Sequence, residues 1–320
     1  MLQQISDLTG KTCPESPNYL CIRSRINQLI EQYLAPVILS DHLTDLPVQF
    51  SQPHQRPWNR IDWKGIHYSQ IRGIDPALFV QILAGAAEIE SPIRSYSRES
   101  WDYMRSLHEP MAHFLGGTYG EDESIQVVGI WEKEERQHCP ALKKMYQQLT
   151  GHKLTIKPNA VAGYQPVGTP WEDACHHLFS RVSTEWSAIA VYLWMMAHST
   201  GALQNAIAQL LQDEVNHLAK FWGFSRWFFS GSFINRVQKS AGHILGLAQH
   251  HKSDRTNGNE ILNVGQLVQQ APYAMELGFT FLRVLVTLRH WDRELSRSFL
   301  THLFGPMPNL AGTETIAIAA

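Results

Sequence analysis

Two short stretches of this sequence, EERQH (134–138) and DEVNH (213–217), place a glutamate three residues before a histidine. In a helix, Glu135 and His138 share one face, one turn apart, as do Glu214 and His217. An exposed ion pair uses that spacing and contributes only a few tenths of a kcal/mol. A pair of metal ligands uses it too, since carboxylate oxygen and imidazole nitrogen suit the same first-row metals. A chain with 16 histidines supplies such pairs by chance, so the surroundings must decide. Glu135 and His138 fall in register with Val128, Trp131, Leu142 and Met145, and Glu214 with Leu210, Leu211, Leu218 and Phe221. A carboxylate and an imidazole on an apolar stripe are costly to bury without partners or a cation.

Two further carboxylates stand in apolar settings: Glu90 in LAGAAEIESPIRSY and Glu185 in STEWSAIAVYLWMMA. Glu185 runs straight into a long apolar stretch, with no cation one turn ahead. In chain order the pattern is Glu, Glu-x-x-His, Glu, Glu-x-x-His, at separations of 45, 50 and 29 residues. Four carboxylates and two imidazoles neutralise two divalent cations, and a helix-bundle core holds a dimetal pair with this set. For the first position Glu90 shares a face with Phe79, Leu83, Ala86, Ile93 and Met104. Glu88, the alternative, shares one with Gln81, Ala84, Ser91 and Ser95, a more polar side.

The elements that must position these groups are long helices. Asp75-Pro76 is a strong helix start, and the periodicity carries that helix to about Leu107. The passage HFLGGTYGEDES ends it, and a second helix bears Glu135 and His138 and stops at Thr150-Gly151. A third covers about 171–199 and a fourth about 202–229. Near the N-terminus a helix is expected over 24–34, followed by a loop, VQFSQPHQRPWNR. Beyond Gly231 come further helical stretches, including YAMELGFTFLRVLVTLRHW. Strand signals are nearly absent. The expectation is an all-α chain: a four-helix bundle over 71–230, a partly helical N-terminal extension over 1–70, and a C-terminal helical extension over 231–320 packed on the bundle.

Bulk properties narrow the class. Apolar residues make up 44% of the 320, charged residues 18%, and the formal net charge is −2, so charge does not point to nucleic acid. Cys13, Cys21, Cys139 and Cys175 lack CxxC spacing, which argues against a zinc knuckle or disulfide scaffold and for a reducing compartment. The first residues have no signal-peptide pattern. The apolar run AIAVYLWMMA is too short to span a bilayer. A cytoplasmic location is the expectation.

At this point WEKEERQH resembles the EExxH helix of the soluble acyl-carrier-protein desaturases, and QDEVNH resembles their DExxH helix. STEWSAIA through QDEVNH has the length and texture of that family's last two metal helices, and ESPIRSY matches its first loosely. The resemblance spans about residues 75–225 and implies the ferritin-like di-iron carboxylate superfamily. It implies Glu90, Glu135, His138, Glu185, Glu214 and His217 as ligands of two iron ions, or of a manganese–iron pair. Asp213 would hydrogen-bond a ligand histidine. The implied activity is O2-dependent oxidation of an unactivated C–H bond in an apolar or carrier-bound acyl substrate. Electrons would come from an external donor such as ferredoxin, and a homodimer fits. Desaturation, hydroxylation and chain shortening are not separated.

Departures from the family pattern are plain. Ala188 stands where the desaturases usually carry a threonine, and no family signature appears before about 70 or after about 230. Trp101, Trp131, Trp186, Trp194 and Phe221 are channel candidates, with core packing the plainer role. Lys143, Lys144, Lys153 and Lys157 offer a landing patch for an acidic carrier, or simply a solvated face. No tyrosine follows His138 within a turn (Tyr146 is two turns on), which argues against a radical-generating reductase subunit. The competing class is a non-enzymatic ferritin-like protein that handles iron and oxygen. A third reading is docking on a membrane surface through ELGFTFLRVLVTLRHW.

Overall fold

The computed structural model describes residues 19–156, 169–229 and 271–307. Within them the chain is predominantly helical. It begins with α1 (Tyr19–Tyr33), α2 (Pro36–Thr44) and α3 (Leu46–Ser51). A loop with two 3-10 turns, Trp63–Gly65 and Tyr68–Gln70, leads to α4 (Pro76–Ile89), α5 (Ile93–Met104) and α6 (Glu109–Gly116). A two-stranded antiparallel hairpin, β1 (Thr118–Tyr119) with β2 (Ile125–Val127), precedes α7 (Ile130–Glu135) and α8 (His138–Thr150). Then come α9 (Pro170–Ala197), α10 (Gly201–Phe228), α11 (Ala271–Asp292) and α12 (Arg297–Phe304).

The frame is the pair α9 and α10, 28 residues each and packed along one another. The start of α9 is a capping box: the Thr169 hydroxyl accepts from the Glu172 amide and the Glu172 carboxylate accepts from Thr169, with Pro170 in the first turn. The turn into α10 passes through Gly201 at φ 60°, where a side chain would also strike the Gln70 amide at 2.6 Å. Helix α4 packs on α8, and α7 packs on α5, α6 and α10. Helices α1 and α2 close over α9, α10 and α11. The core is continuous, from Ile26 and Leu34 through Phe79 and Leu142 to Leu211, Val284 and Trp291.

Two of the expected helices are each two helices. A continuous helix from Pro76 to Leu107 would have Pro92 in its interior, where it has no N–H for the Glu88 carbonyl and its ring clashes with that turn. Instead α4 ends at Ile89, Ser91 N–H bonds Glu88 O at 3.2 Å, and α5 begins at Ile93. Pro140 has the same effect on the second helix, where it cannot donate to Arg136. Arg136 and Gln137 turn onto the Glu132 and Glu134 carbonyls, both at 3.0 Å, and α8 restarts at His138. Glu135 and His138 therefore flank a break and do not sit mid-helix. Because Arg136 and Gln137 keep right-handed helical dihedrals, the two side chains still face the same way.

The hairpin had no strand signal. It depends on Gly117, at φ 87°, where a Cβ would lie 1.8 Å from Val127 O. Cys21 is in a disulfide while Cys139 is a free thiol, which corrects the expectation of reduced cysteines and removes their argument about compartment. No described helix is long and apolar enough to cross a membrane. Of the lysine patch, Lys144 lies over the Trp63 ring at 4.5 Å, and Lys157 lies outside the described residues. In the C-terminal region α11 and α12 are helical, while 231–270 and 308–320 lie outside the described residues.

Candidate metal centre

The six residues singled out from the sequence come together. Glu90, at the C-cap of α4, meets Glu135 and His138 from the α7–α8 break and Glu214 from α10. Glu135 and Glu214 also meet Glu185 of α9 and His217 of α10. In each four-residue group the potential ligand atoms lie within 4.8 Å of one another. Ligands bound at about 2.1 Å to one ion stand at most about 4.2 Å apart, so a small contraction closes each group on an ion. The groups share Glu135 and Glu214, which makes these two the bridging candidates. Glu88, the alternative to Glu90, belongs to neither group.

Distances within the cluster point inward. His138 Nδ1 is 3.2 Å from Glu135 Oε2, 3.1 Å from Glu214 Oε1 and 3.9 Å from Glu90 Oε1. His217 Nδ1 is 2.8 Å from Glu135 Oε1 and 3.6 Å from Glu185 Oε2. Glu135 thus presents one oxygen to each histidine. All six are buried except Glu90, which keeps slight exposure. Yet His138 Nδ1, His217 Nδ1, Glu185 Oε2 and Glu214 Oε1 make no hydrogen bond. Native interiors satisfy nearly every buried polar atom. These atoms stand in pairs 3.1 and 3.6 Å apart without hydrogen-bonding, a donor set suited to a pair of cations.

The other imidazole nitrogens are held from behind. His138 Nε2 lies 3.2 Å from Asp213 Oδ2, and His217 Nε2 lies 2.9 Å from Glu134 Oε2. An Nε2–H donating to a carboxylate fixes the ring and leaves the Nδ1 lone pair facing the cluster. Each carboxylate immediately precedes a candidate ligand and serves the histidine of the opposite helix. Asp213 was expected in this role, but Glu134 was missed. The doublets Glu134-Glu135 and Asp213-Glu214 carried that signal.

A third layer comes from the loop after α3. Arg56 Nε donates to Asp213 Oδ1 at 2.5 Å and Trp58 Nε1 to Asp213 Oδ2 at 2.6 Å. The Arg56 backbone N–H reaches Glu134 Oε1 at 2.7 Å, and Asn59 N–H reaches Gln209 Oε1 at 2.9 Å. Glu134 also accepts from Asn216, whose amide oxygen takes a bond from the buried Lys220, itself 2.9 Å from Asp45. On the near side, Tyr192 OH donates to Glu90 Oε1 at 2.9 Å. Tyr192 was not anticipated, and it places a buried tyrosine hydroxyl at the cluster on α9.

The charges are strongly coupled. Burial resists charge on both histidines, but Glu135, Asp213 and Glu214 push His138 well up, and Glu134, Glu135 and Glu185 do the same for His217. Burial, Glu135 and Glu185 push Glu214 well up, and burial and Glu135 raise Glu90. The protons held this way are what a cation displaces on binding.

Of the channel candidates, Trp131 borders the site, meeting the His217 ring edge-on at 6.3 Å, and Phe221 packs on Trp131 at 5.8 Å. Trp101 packs on Tyr119, Trp186 donates to Phe281 O, and Trp194 donates to Glu276. No protein-family model matches the chain, and neither a curated protein nor a solved structure matches it.

Proposed function

We propose that this chain is a dimetal carboxylate protein of ferritin-like bundle architecture and an O2-dependent oxidase of an apolar substrate. Helices α4, α7–α8, α9 and α10 are the four that supply the ligands. Glu90 and His138 would hold one ion and Glu185 and His217 the other, with Glu135 and Glu214, common to both groups, available to each. The observation that carries this reading is the pair of imidazoles. Each is pinned at Nε2 by a carboxylate, and their Nδ1 atoms, without hydrogen bonds, face a cluster of four carboxylates, three of them buried.

Two iron ions at such a centre, or a manganese–iron pair, supply the capacity to reduce O2 and oxidise an unactivated C–H bond with electrons from an external donor such as ferredoxin. The chain's own groups do the rest. Asp213 and Glu134 orient the imidazoles, Arg56 and Trp58 hold Asp213, and Trp131, backed by Phe221, excludes water from the His217 side. The alternative is iron handling without an organic substrate. Anaerobic loading with Fe(II), followed by O2, separates the two. Iron that stops at two per chain, with O2 consumed catalytically when a reductant is present, supports the oxidase. Continued iron uptake beyond two sinks it in favour of storage.

A further inference from the structure

Arg181 stands one turn before Glu185 on α9, and it is only 7% exposed. Arginine is almost never buried to this degree without a partner, yet its Nε makes no hydrogen bond. The nearest carboxylate, Glu99 Oε2, is 3.9 Å from Nη2, beyond hydrogen-bonding distance. The guanidinium lies instead between aromatic faces, 5.0 Å from the Tyr96 ring centroid and 6.0 Å from that of Trp131. Trp131 Nε1 is also buried without a partner. Through the Trp131 ring, which meets His217 edge-on, this guanidinium borders the wall of the candidate centre. The charges of Arg181, Glu90 and Glu99 all act on the Tyr96 hydroxyl, which places Tyr96 within electrostatic range of both Arg181 and the cluster.

We propose that Arg181 receives the carboxylate of the substrate, a monocarboxylate with an apolar tail that runs along Trp131 toward the metal centre. A planar guanidinium fork matches a carboxylate with two parallel N–H···O bonds. Glu99 beside it disfavours a dianion such as a phosphate monoester, so a single negative charge fits better. The flanking aromatic faces accept a hydrocarbon tail, and the steps of 6.0 Å to Trp131 and 6.3 Å on to His217 set the reacting carbon several bonds from the acid. The destination of the tail rests on the dimetal reading, but the anion site does not.

The test is binding of octanoate against octan-1-ol to the full-length chain, metal-free and metal-loaded, by calorimetry and Trp fluorescence. Wild type is expected to bind octanoate at least tenfold more tightly than octanol. Arg181→Met, which keeps the apolar stem, should lose that preference, and Glu99→Gln should bind octanoate more tightly than wild type. Equal affinities for acid and alcohol in the wild type overturn the proposal, as does an unchanged octanoate affinity in a folded Arg181→Met. Should Arg181→Met fail to fold, Arg181→Lys keeps the charge and loses the fork, and is expected to bind octanoate more weakly than wild type; unchanged affinity there overturns the proposal. Metal content separates this from the dimetal reading. Two metals per chain with no acid preference sinks Arg181 alone, and an acid preference in a chain that takes up no metal sinks the dimetal reading alone.

Discussion

Glu185→Gln should make the metal-free protein more stable while abolishing full metal binding. The ligand atoms of Glu135, Glu185, Glu214 and His217 lie within 4.8 Å of one another. Two like unit charges at 4.8 Å repel by about 3.5 kcal/mol at an effective dielectric of about 20. The attraction to His217, 3.6 Å away, is about 4.6 kcal/mol on the same basis and cancels this repulsion, but Glu185 Oε2 is buried without a hydrogen bond, and the desolvation of such an ion costs several kcal/mol. Removing the charge with an isosteric amide should therefore stabilise the metal-free chain by roughly 2 kcal/mol, a rise in Tm of about 4 °C for a chain of this size. Loading reverses the order, because a metal at a thousand times its Kd adds about 4 kcal/mol to the wild type and the variant lacks a ligand. Thermal melts of chelator-treated and anaerobically Fe(II)-loaded protein read both arms. A metal-free variant less stable than wild type, or one that gains the full metal stabilisation, refutes the argument.

Three other outcomes follow from the same geometry. Arg56→Met removes a donor from Asp213 and should weaken metal binding by 10- to 100-fold with the helices intact, as metal titration with circular dichroism will show. Tyr192→Phe removes the hydroxyl that holds Glu90, so stepwise titration should show one ion weakened and the other unchanged. Burial, with help from Lys220 and Arg56 and against Asp45, pushes His42 down to about 4. The folded chain keeps His42 neutral where the unfolded chain already binds a proton. Its contribution is therefore full above about pH 6.5 and disappears as pH falls toward about 4, a loss on the order of 2–3 kcal/mol. Denaturant melts of His42→Gln against wild type across that window should show the slope flattened in the variant.

Much of the site was legible because burial of a carboxylate shows in its neighbours. Glu185 ahead of AIAVYLWMMA and Glu214 among leucines have no plain surface reading, and the structure buries both at the cluster. The breaks at Pro92 and Pro140 were visible as prolines, but counting apolar periods runs through them, since a one-turn distortion leaves flanking side chains on the same face. Glu134 was readable by analogy with Asp213 in the parallel doublet. Arg56 and Trp58 were not, because their loop has no period and its contact with α10 exists only once the chain has folded. Arg181 reads in sequence as an ordinary helix-surface arginine. Its burial comes from α5 and α7 closing over α9, a tertiary event that local pattern does not encode.

The most direct test of the central claim is metal content per chain by elemental analysis after anaerobic Fe(II) reconstitution and desalting, on wild type and Glu135→Ala in parallel. Glu135 offers an oxygen to each half of the site, so the account predicts two irons per wild-type chain and severe loss of both in the variant, with helical content retained. A wild type that binds no iron, or a Glu135→Ala variant that keeps two, contradicts it.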